Sequence, residues 1–337
     1  MNNNMHPLDS LSVDEIKKSV NIFKSDNNSD ENSVFSYISL EEPDKNFVKN
    51  YKVGDSFSRK TKIIGVDSSS KGFEASIDLN KEKVTSLNVI PDAAGPTYTM
   101  TEIMIAIQLT LENDEYQAAL EKRGITDLSL IQIDPWPGGG ITHEKIKEGH
   151  RALKTISFLK ESPEDNAYAR PISGLISHVD LTDKCIVEIE DQGISNLPEQ
   201  SAKYDAASQE VLRNRPKDIS ITQPDGPGFE VSNNEISWEG WNLRVSIDPI
   251  EGLVIQNLNL NKREIFYRAS MSDMVVPYGS ADPMHSWKAV HDGTEYGFGS
   301  LSNSLTLGCD CLGEIYYFDT NKLNLSLIHI SEPTRHE

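Results

Sequence analysis

Twice within its first 190 residues the chain shows a helix-start signal followed by about four strand-like runs, and this recurrence narrows the folds open to it. The first signal is SVDE, Ser12 to Glu15, a capping box in which a serine and a glutamate three residues on satisfy each other's backbone N–H groups. It predicts a short helix with Ile16, Val20 and Phe23 on one face. The strand-like runs VFSYISL, FSRKTKIIGVD, GFEASIDL and KVTSLNVI follow. In the third, Phe73, Ala75, Ile77 and Leu79 alternate with polar residues, the period of a half-buried antiparallel strand. The second signal, TMTE at Thr99 to Glu102, predicts a longer helix with Ile103, Ile107 and Leu111 one turn apart. Gly124 suits a left-handed cap at its end. LSLIQID, ALKTISFL, LISHVDL and CIVEIE complete the second round. The expected fold class is α+β: two small domains, each a helix plus a four-stranded sheet, over residues 6–95 and 97–190.

Residues 191–216 are polar and poor in pattern and read as a linker. Beyond them ISITQPDGPGFEV, EISWEGWNLRVSID and GLVIQNLNL are closely spaced strands punctuated by Pro and Gly, with no helical period. They predict the start of an all-β domain, sandwich or barrel-like, over 217–320.

Composition excludes several partners. With 52 acidic against 32 basic residues the net charge is -20, which repels nucleic acid and anionic membrane surfaces. No apolar run approaches the roughly 20 residues of a membrane span. The opening MNNNMHPLDS lacks the basic and apolar regions of a secretory signal, so a cytoplasmic location is the default. Of the three cysteines, Cys185 reads as a small buried apolar residue in a strand. Cys309 and Cys311 are separated by a single residue, unlike the two-residue gap of zinc knuckles, and no second pair exists.

The polar residues that could carry chemistry gather in Met274–Gly299, MVVPYGSADPMHSWKAVHDGTEYGFG. Tyr278, Asp282, His285, His291, Asp292, Glu295 and Tyr296 stand there among Gly and Pro, the kind of loop on which a sheet presents functional groups. Three arrangements are open: a metal site from His285, His291 and a carboxylate; a carboxylate pair, Asp292 and Glu295, for acid–base hydrolysis; or one Asp acting as a base beside a Tyr hydroxyl. On composition alone a plain solvated loop outweighs all three, and nothing there chooses among them.

A run of motifs does. VVPYG at Val275–Gly279, EYGFG at Glu295–Gly299 and NSLTLGCDCLGEIYYFD at Asn303–Asp319 resemble the entry to the catalytic domain of copper-containing amine oxidases. HPLD, DPWPGGG, DNAYARPISGL, ISITQPDGPGFEV and YRASMSDMVVPYG are similar to upstream stretches of the same family, in the same order. The resemblance spans about residues 6–320 and implies two small α+β domains ahead of a large β-sandwich that forms a homodimer. It implies oxidation of a primary amine by oxygen to aldehyde, ammonia and hydrogen peroxide, using copper and topaquinone, a quinone made from a tyrosine of the protein. Asp292 then matches the base that takes a proton from the substrate's α-carbon, and Tyr278 the tyrosine that positions the quinone. Such a base must come within about 3 Å of its proton, in a site dry enough to raise a carboxylate toward neutrality.

The pattern departs from the family at three places. His291 stands where Phe usually precedes the base, Gly293 follows it directly rather than two positions later, and YGSADP replaces YGDP. Cys311 matches a cysteine that pairs with a later one, and no later cysteine occurs. No His-x-His pair and no Asn-Tyr-Asp or Asn-Tyr-Glu is present, so the copper ligands and the quinone-forming tyrosine are expected to be missing and the chain inactive by itself. The tail Leu325–Arg335 is similar to an in-frame translation of a sequencing adapter, which would end genuine protein near Thr320–Asn324 and strip His329 and His336 of function. Two other classes predict different behaviour. A non-catalytic interaction module would fold cooperatively, and a hydrolase would depend on Glu295.

Overall fold

The computed structural model describes residues 5–91, 95–138, 143–214, 216–308, 310–318, 320, 322–324 and 329–331. The first capping box forms as its sequence dictates. Ser12 Oγ accepts from Glu15 N–H while the Glu15 carboxylate accepts from Ser12 N–H, and helix α1 (Val13–Ser25) begins. Its face Ile16, Val20 and Phe23 packs on an antiparallel meander of β1 (Val34–Leu40), β2 (Lys60–Val66), β3 (Gly72–Asp78) and β4 (Lys83–Val89). Phe73, Ala75, Ile77 and Leu79 all point into this core, as their alternation predicts. A one-and-a-half-turn helix α2 (Lys45–Asn50), absent from the sequence reading, is capped by Asp44 between β1 and β2.

The second round repeats the plan with one difference. Thr99 and Glu102 form the capping box of α3 (Met100–Leu111), but the helix does not run on to Gly124. It stops at Glu112, and the Asn113 side chain accepts from Tyr116 N–H to start a separate helix, α4 (Asp114–Glu121). A side-chain acceptor that restarts a helix competes with continuing the first one. Gly124, at φ +74°, then closes α4 with Ile125 N–H reaching back to Leu120 O. The sheet is again a four-stranded meander, β5 (Ile131–Trp136), β6 (Ala152–Leu159), β7 (Leu175–Asp180) and β8 (Cys185–Asp191). Cys185 is exposed rather than buried, because it opens β8, the edge strand of that order.

The two rounds share more than topology. In the first, the Arg59 guanidinium is buried and donates to the Glu15 carboxylate at 2.7 Å and to the carbonyls of Pro7, Asp9 and Ser10. In the second, buried Arg151 donates to the Glu102 carboxylate at 2.5 and 3.1 Å and lies over the Tyr98 ring. Each arginine carbonyl accepts from a leucine N–H at 2.9 Å, Leu79 to Arg59 and Leu181 to Arg151. Each leucine follows a buried aspartate, Asp78 or Asp180, whose carboxylate accepts two backbone N–H groups of the next hairpin turn. The matched triplets Asp78-Leu79-Asn80 and Asp180-Leu181-Thr182 are thus one structural device written twice.

Between Gly193 and Gly228 the described chain holds one 3₁₀ turn, Ala206–Ser208, and Ile219–Gln223, expected as strand, is irregular and exposed. A five-stranded antiparallel sheet follows: β9 (Phe229–Ser232), β10 (Glu235–Trp238), β11 (Trp241–Asp248), β12 (Gly252–Leu260) and β13 (Arg263–Ser270), paired in sequence order. Two short ladders come after it, β14 (Val275–Pro277) with β15 (Ala289–His291), and β16 (Lys322–Asn324) with β17 (His329–Ser331). The rest of the expected tail, residues 325–328 and 332–335, lies outside the described residues, as does Cys309. The chain divides into two compact units. One holds residues up to Thr97 with Asp218–Met274 and Asp292 onward; the other holds Tyr98–Lys217 with Val275–His291. No helix among the described residues is long and apolar enough to cross a membrane.

Because both arginines are buried against a single carboxylate, removing either leaves that carboxylate buried without its cation. Arg59→Met and Arg151→Met are each expected to cost about 3–5 kcal/mol, read from the urea transition of the unit concerned. The Glu15 pair also makes stability depend on pH. Burial alone would push the Glu15 carboxyl up, but Arg59 and the Ser12 N–H outweigh it and hold its pKa below the ordinary value. A depressed folded pKa gives stability that is complete above the unfolded value, about 4.3, and is lost as pH falls through the folded one. Urea midpoints between pH 7 and pH 3 should therefore fall more steeply for the native chain than for Glu15→Gln.

Candidate functional site

The Met274–Gly299 segment is shared between the two units, which divide it at Asp292. In the second unit, β14 and β15 pair Val275 with His291, Val276 with Val290 and Pro277 with Ala289, and Tyr278 N–H donates to Lys288 O at 2.9 Å. The loop they enclose is built around Asp282. Its side chain accepts from Met284 N–H, and its carbonyl accepts from His285 and Ser286 N–H. That turn drives Met284, 2% exposed, into a cluster with Ile156 and Ile176 of β6 and β7. Asp282 is therefore a turn-former rather than a reactive group.

Anchored in this way, the loop presents Tyr278 at 37% exposure. Its ring meets the edge of Trp136 at 5.7 Å between centroids and lies parallel to His285 at 6.0 Å. Burial pushes the His285 imidazole below its ordinary pKa, helped by the nearby Lys288 ammonium and opposed by Asp282. Lys288, which the sequence did not single out, is buried with its ammonium 3.8 Å from the centre of the Trp136 ring. Only the fold reveals it.

In the first unit Asp292 opens a five-residue π-helical turn, Asp292–Tyr296. Single π turns often mark functional positions. Asp292 N–H donates to Met274 O at 2.9 Å. The Asp273 carboxylate then caps the turn, accepting from Gly293 N–H at 3.0 Å, Thr294 N–H at 3.3 Å and the Thr294 hydroxyl at 3.0 Å. Thr97 ties down the far side through its hydroxyl to Thr294 O at 2.8 Å. Gly293 is required by this closeness. A Cβ there would stand 2.9 Å from Asp273 Oδ1, 3.0 Å from Phe298 Cε2 and 3.2 Å from Asp273 Cα. The glycine that follows the expected base directly is thus a packing requirement of this turn. The Asp292 carboxylate itself is half-buried and has no hydrogen-bond or ion-pair partner among the described residues.

The remaining candidates separate. Tyr278 stands on the second unit and Asp292 on the first. Glu295 and Tyr296 share the Asp292 turn, three and four residues on, and His291 ends β15. Among the described residues one group of three or more His, Cys, Asp or Glu has its ligand atoms within 4.8 Å of one another, His150, Asp180 and Asp183, and neither His285 nor His291 belongs to it. One imidazole and two carboxylates, with Lys147 already 2.7 Å from Asp183, do not suit a copper centre built on imidazoles. Cys311 carries a free thiol 3.8 Å from the Tyr317 hydroxyl.

Comparison with known proteins gives this arrangement a context. Models of the copper amine oxidase N2 domain, N3 domain and enzyme domain match residues 6–90, 101–209 and 230–327. The chain is 35% identical over 324 residues to a primary amine oxidase of Arthrobacter sp. (strain P1), covering 95% of this chain and 49% of the relative. It is 35% identical over 323 residues to the histamine oxidase of Arthrobacter globiformis, covering 93% and 46%. It spans about half the length of the curated relatives it matches. The fold superposes on a copper-containing benzylamine oxidase from Hansenula polymorpha with a TM-score of 0.83 at 24% identity, over 95% of this chain and 53% of that one. An amine oxidase of Aspergillus nidulans follows at 0.66 and 14%, over 95% and 50%. With three models of one family matched in succession and the fold shared, the chain belongs to the copper amine oxidases.

Proposed function

We propose that this chain carries the proton-abstracting base and the quinone-positioning tyrosine of a primary-amine oxidase, Asp292 and Tyr278. The reaction is R–CH2–NH2 + O2 + H2O → R–CHO + NH3 + H2O2. The observation that carries this reading is the state of Asp292: its backbone is pinned to Met274 while its carboxylate is left without a partner. A base for a carbon-bound proton needs that combination, since a carboxylate already accepting strong hydrogen bonds has its lone pairs engaged. Tyr278 is presented half-exposed on an anchored loop, as a group that must hold a cofactor by its hydroxyl would be.

With those roles go copper and topaquinone, a homodimer and a cytoplasmic setting, and Cys311 is assigned to a disulfide whose partner this sequence lacks. The quinone-forming tyrosine and copper-binding histidines are taken to lie outside these residues, which leaves the chain inactive alone. The absence of any His-x-His or Asn-Tyr-Asp/Glu supports that assignment.

Peroxide release on adding a primary amine tests the reading in two polypeptides. The 337-residue chain with Cu(II) should give none, whereas one extended through the rest of the catalytic domain should turn over. In the extended enzyme Asp292→Asn should lower kcat by about 10²–10⁴-fold, the usual range for a lost general base; an unchanged kcat would remove Asp292 from the chemistry. Gly293→Ala should act through structure, costing about 1–3 kcal/mol by overpacking against Asp273 and Phe298, measured as a lower urea midpoint of the chain.

A further inference from the structure

We propose that Lys288 is a positioning residue for amine oxidation: its ε-ammonium, held against the faces of Trp136 and Tyr278, fixes the orientation in which the Tyr278 ring is presented. This rests on the role given to Tyr278 above. The Lys288 ammonium lies 3.8 Å from the centre of the Trp136 ring, 5.3 Å from that of Tyr278 and 5.7 Å from that of Trp287. The side chain is 3% exposed and has no carboxylate within ion-pair distance among the described residues. Three aromatic faces supply what a counter-ion would otherwise give.

Tyr278 needs such a restraint. Its hydroxyl has no hydrogen-bond partner among the described residues, so nothing at the tip of the ring fixes its rotation. What holds the ring is the Trp136 edge, the His285 face and the Lys288 cation, while Lys288 O also accepts the Tyr278 N–H. One residue therefore grips Tyr278 at both backbone and ring. The arrangement continues across the sheet. Trp136, Lys154 and His178 are successive cross-strand partners on β5, β6 and β7, and Lys154 in turn places its ammonium 4.7 Å from the Trp287 ring.

The charge is costly where it stands. Burial pulls the Lys288 ammonium down to about 8, against the opposing pull of Asp134 and Asp282. Besides those two carboxylates, His285 of its own loop and the Tyr278 ring face it, and Lys154 on β6 shares the Trp287 ring with it. A buried cation whose pKa is depressed lowers the stability of the folded chain at neutral pH. A residue kept there at that cost serves orientation better than it serves the fold. The charge is present below pH 8 and is lost as pH rises through it, so the grip on the ring should follow the same course.

The 337-residue chain carrying ring-¹³C-labelled tyrosine, whose phenol keeps its ordinary acidity, tests this directly, with the Tyr278 resonance assigned by its loss in Tyr278→Phe. In the native chain the ring ¹³C signal should shift with a midpoint near pH 8. Lys288→Arg, charged throughout, should hold the low-pH position, and Lys288→Met the high-pH position, with no midpoint near 8 in either. Lys288→Met should also melt at or above the native temperature. A Tyr278 resonance identical in the native, Arg and Met chains at pH 7 would overturn the proposal. So would a Met variant that unfolds, because the residue would then be structural. None of this requires turnover. In the extended enzyme, a Tyr278→Phe variant with unchanged kcat would remove the role of Tyr278 in the reaction and leave the grip on its ring standing.

Discussion

A buried guanidinium locking a capping-box glutamate is the contact from which both small sheets are organised. A capping box alone fixes where a helix begins and contributes about a kilocalorie per mole. Adding Arg59 to Glu15, or Arg151 to Glu102, ties the first turn of that helix to the strand region beside β2 or β6. The same arginine carbonyl then receives the leucine that leads into the next hairpin. Helix, second strand and turn are thereby set in register by one residue. Such a bond is strong only while complete, since a desolvated carboxylate without its cation is worse than an apolar pair. That asymmetry explains why Arg59 also takes three backbone carbonyls, leaving little of its donor capacity unused.

The second sheet does further work on its other face. There Ile156 and Ile176 receive Met284, and the row from Trp136 through Lys154 to His178 underlies Trp287 and Lys288. The loop bearing Tyr278 thus sits on a rigid antiparallel surface and borrows its precision from β5, β6 and β7. Loops with their own buried anchor hold a side chain to tolerances that an exposed loop cannot.

What could be read in the sequence was what is local. Ser12 with Glu15 and Thr99 with Glu102 are three residues apart, and the alternation through Phe73 to Leu79 is a property of one strand. Arg59 and Arg151 were invisible because their glutamates lie 44 and 49 residues away. The helix break at Asn113 is hidden in the sequence because an apolar stripe through Leu111 outweighs one capping side chain. The apolar neighbours of Cys185 suggest burial but say nothing about which strand forms the edge. Asp292 and Tyr278 stand out only through the resemblance to a family's motifs, since composition alone leaves them among seven polar residues of a loop. Lys288 had no signal at all, because its burial depends on strands more than a hundred residues earlier.

The Asp292 turn resolves two demands that pull against each other. The first N–H groups of any helical turn need acceptors, and the residue at its start is the natural donor of a carboxylate. Had Asp292 capped its own turn, its oxygens would be committed to backbone N–H groups. Here Asp273, from the strand side of the ladder, accepts the Gly293 and Thr294 N–H groups and the Thr294 hydroxyl instead. That substitution requires Asp273 to lie against the turn backbone, and only a residue without Cβ permits the approach at position 293. Gly293 and the aspartate before β14 are therefore two halves of one arrangement. It holds the Asp292 backbone rigid while keeping its carboxylate uncommitted.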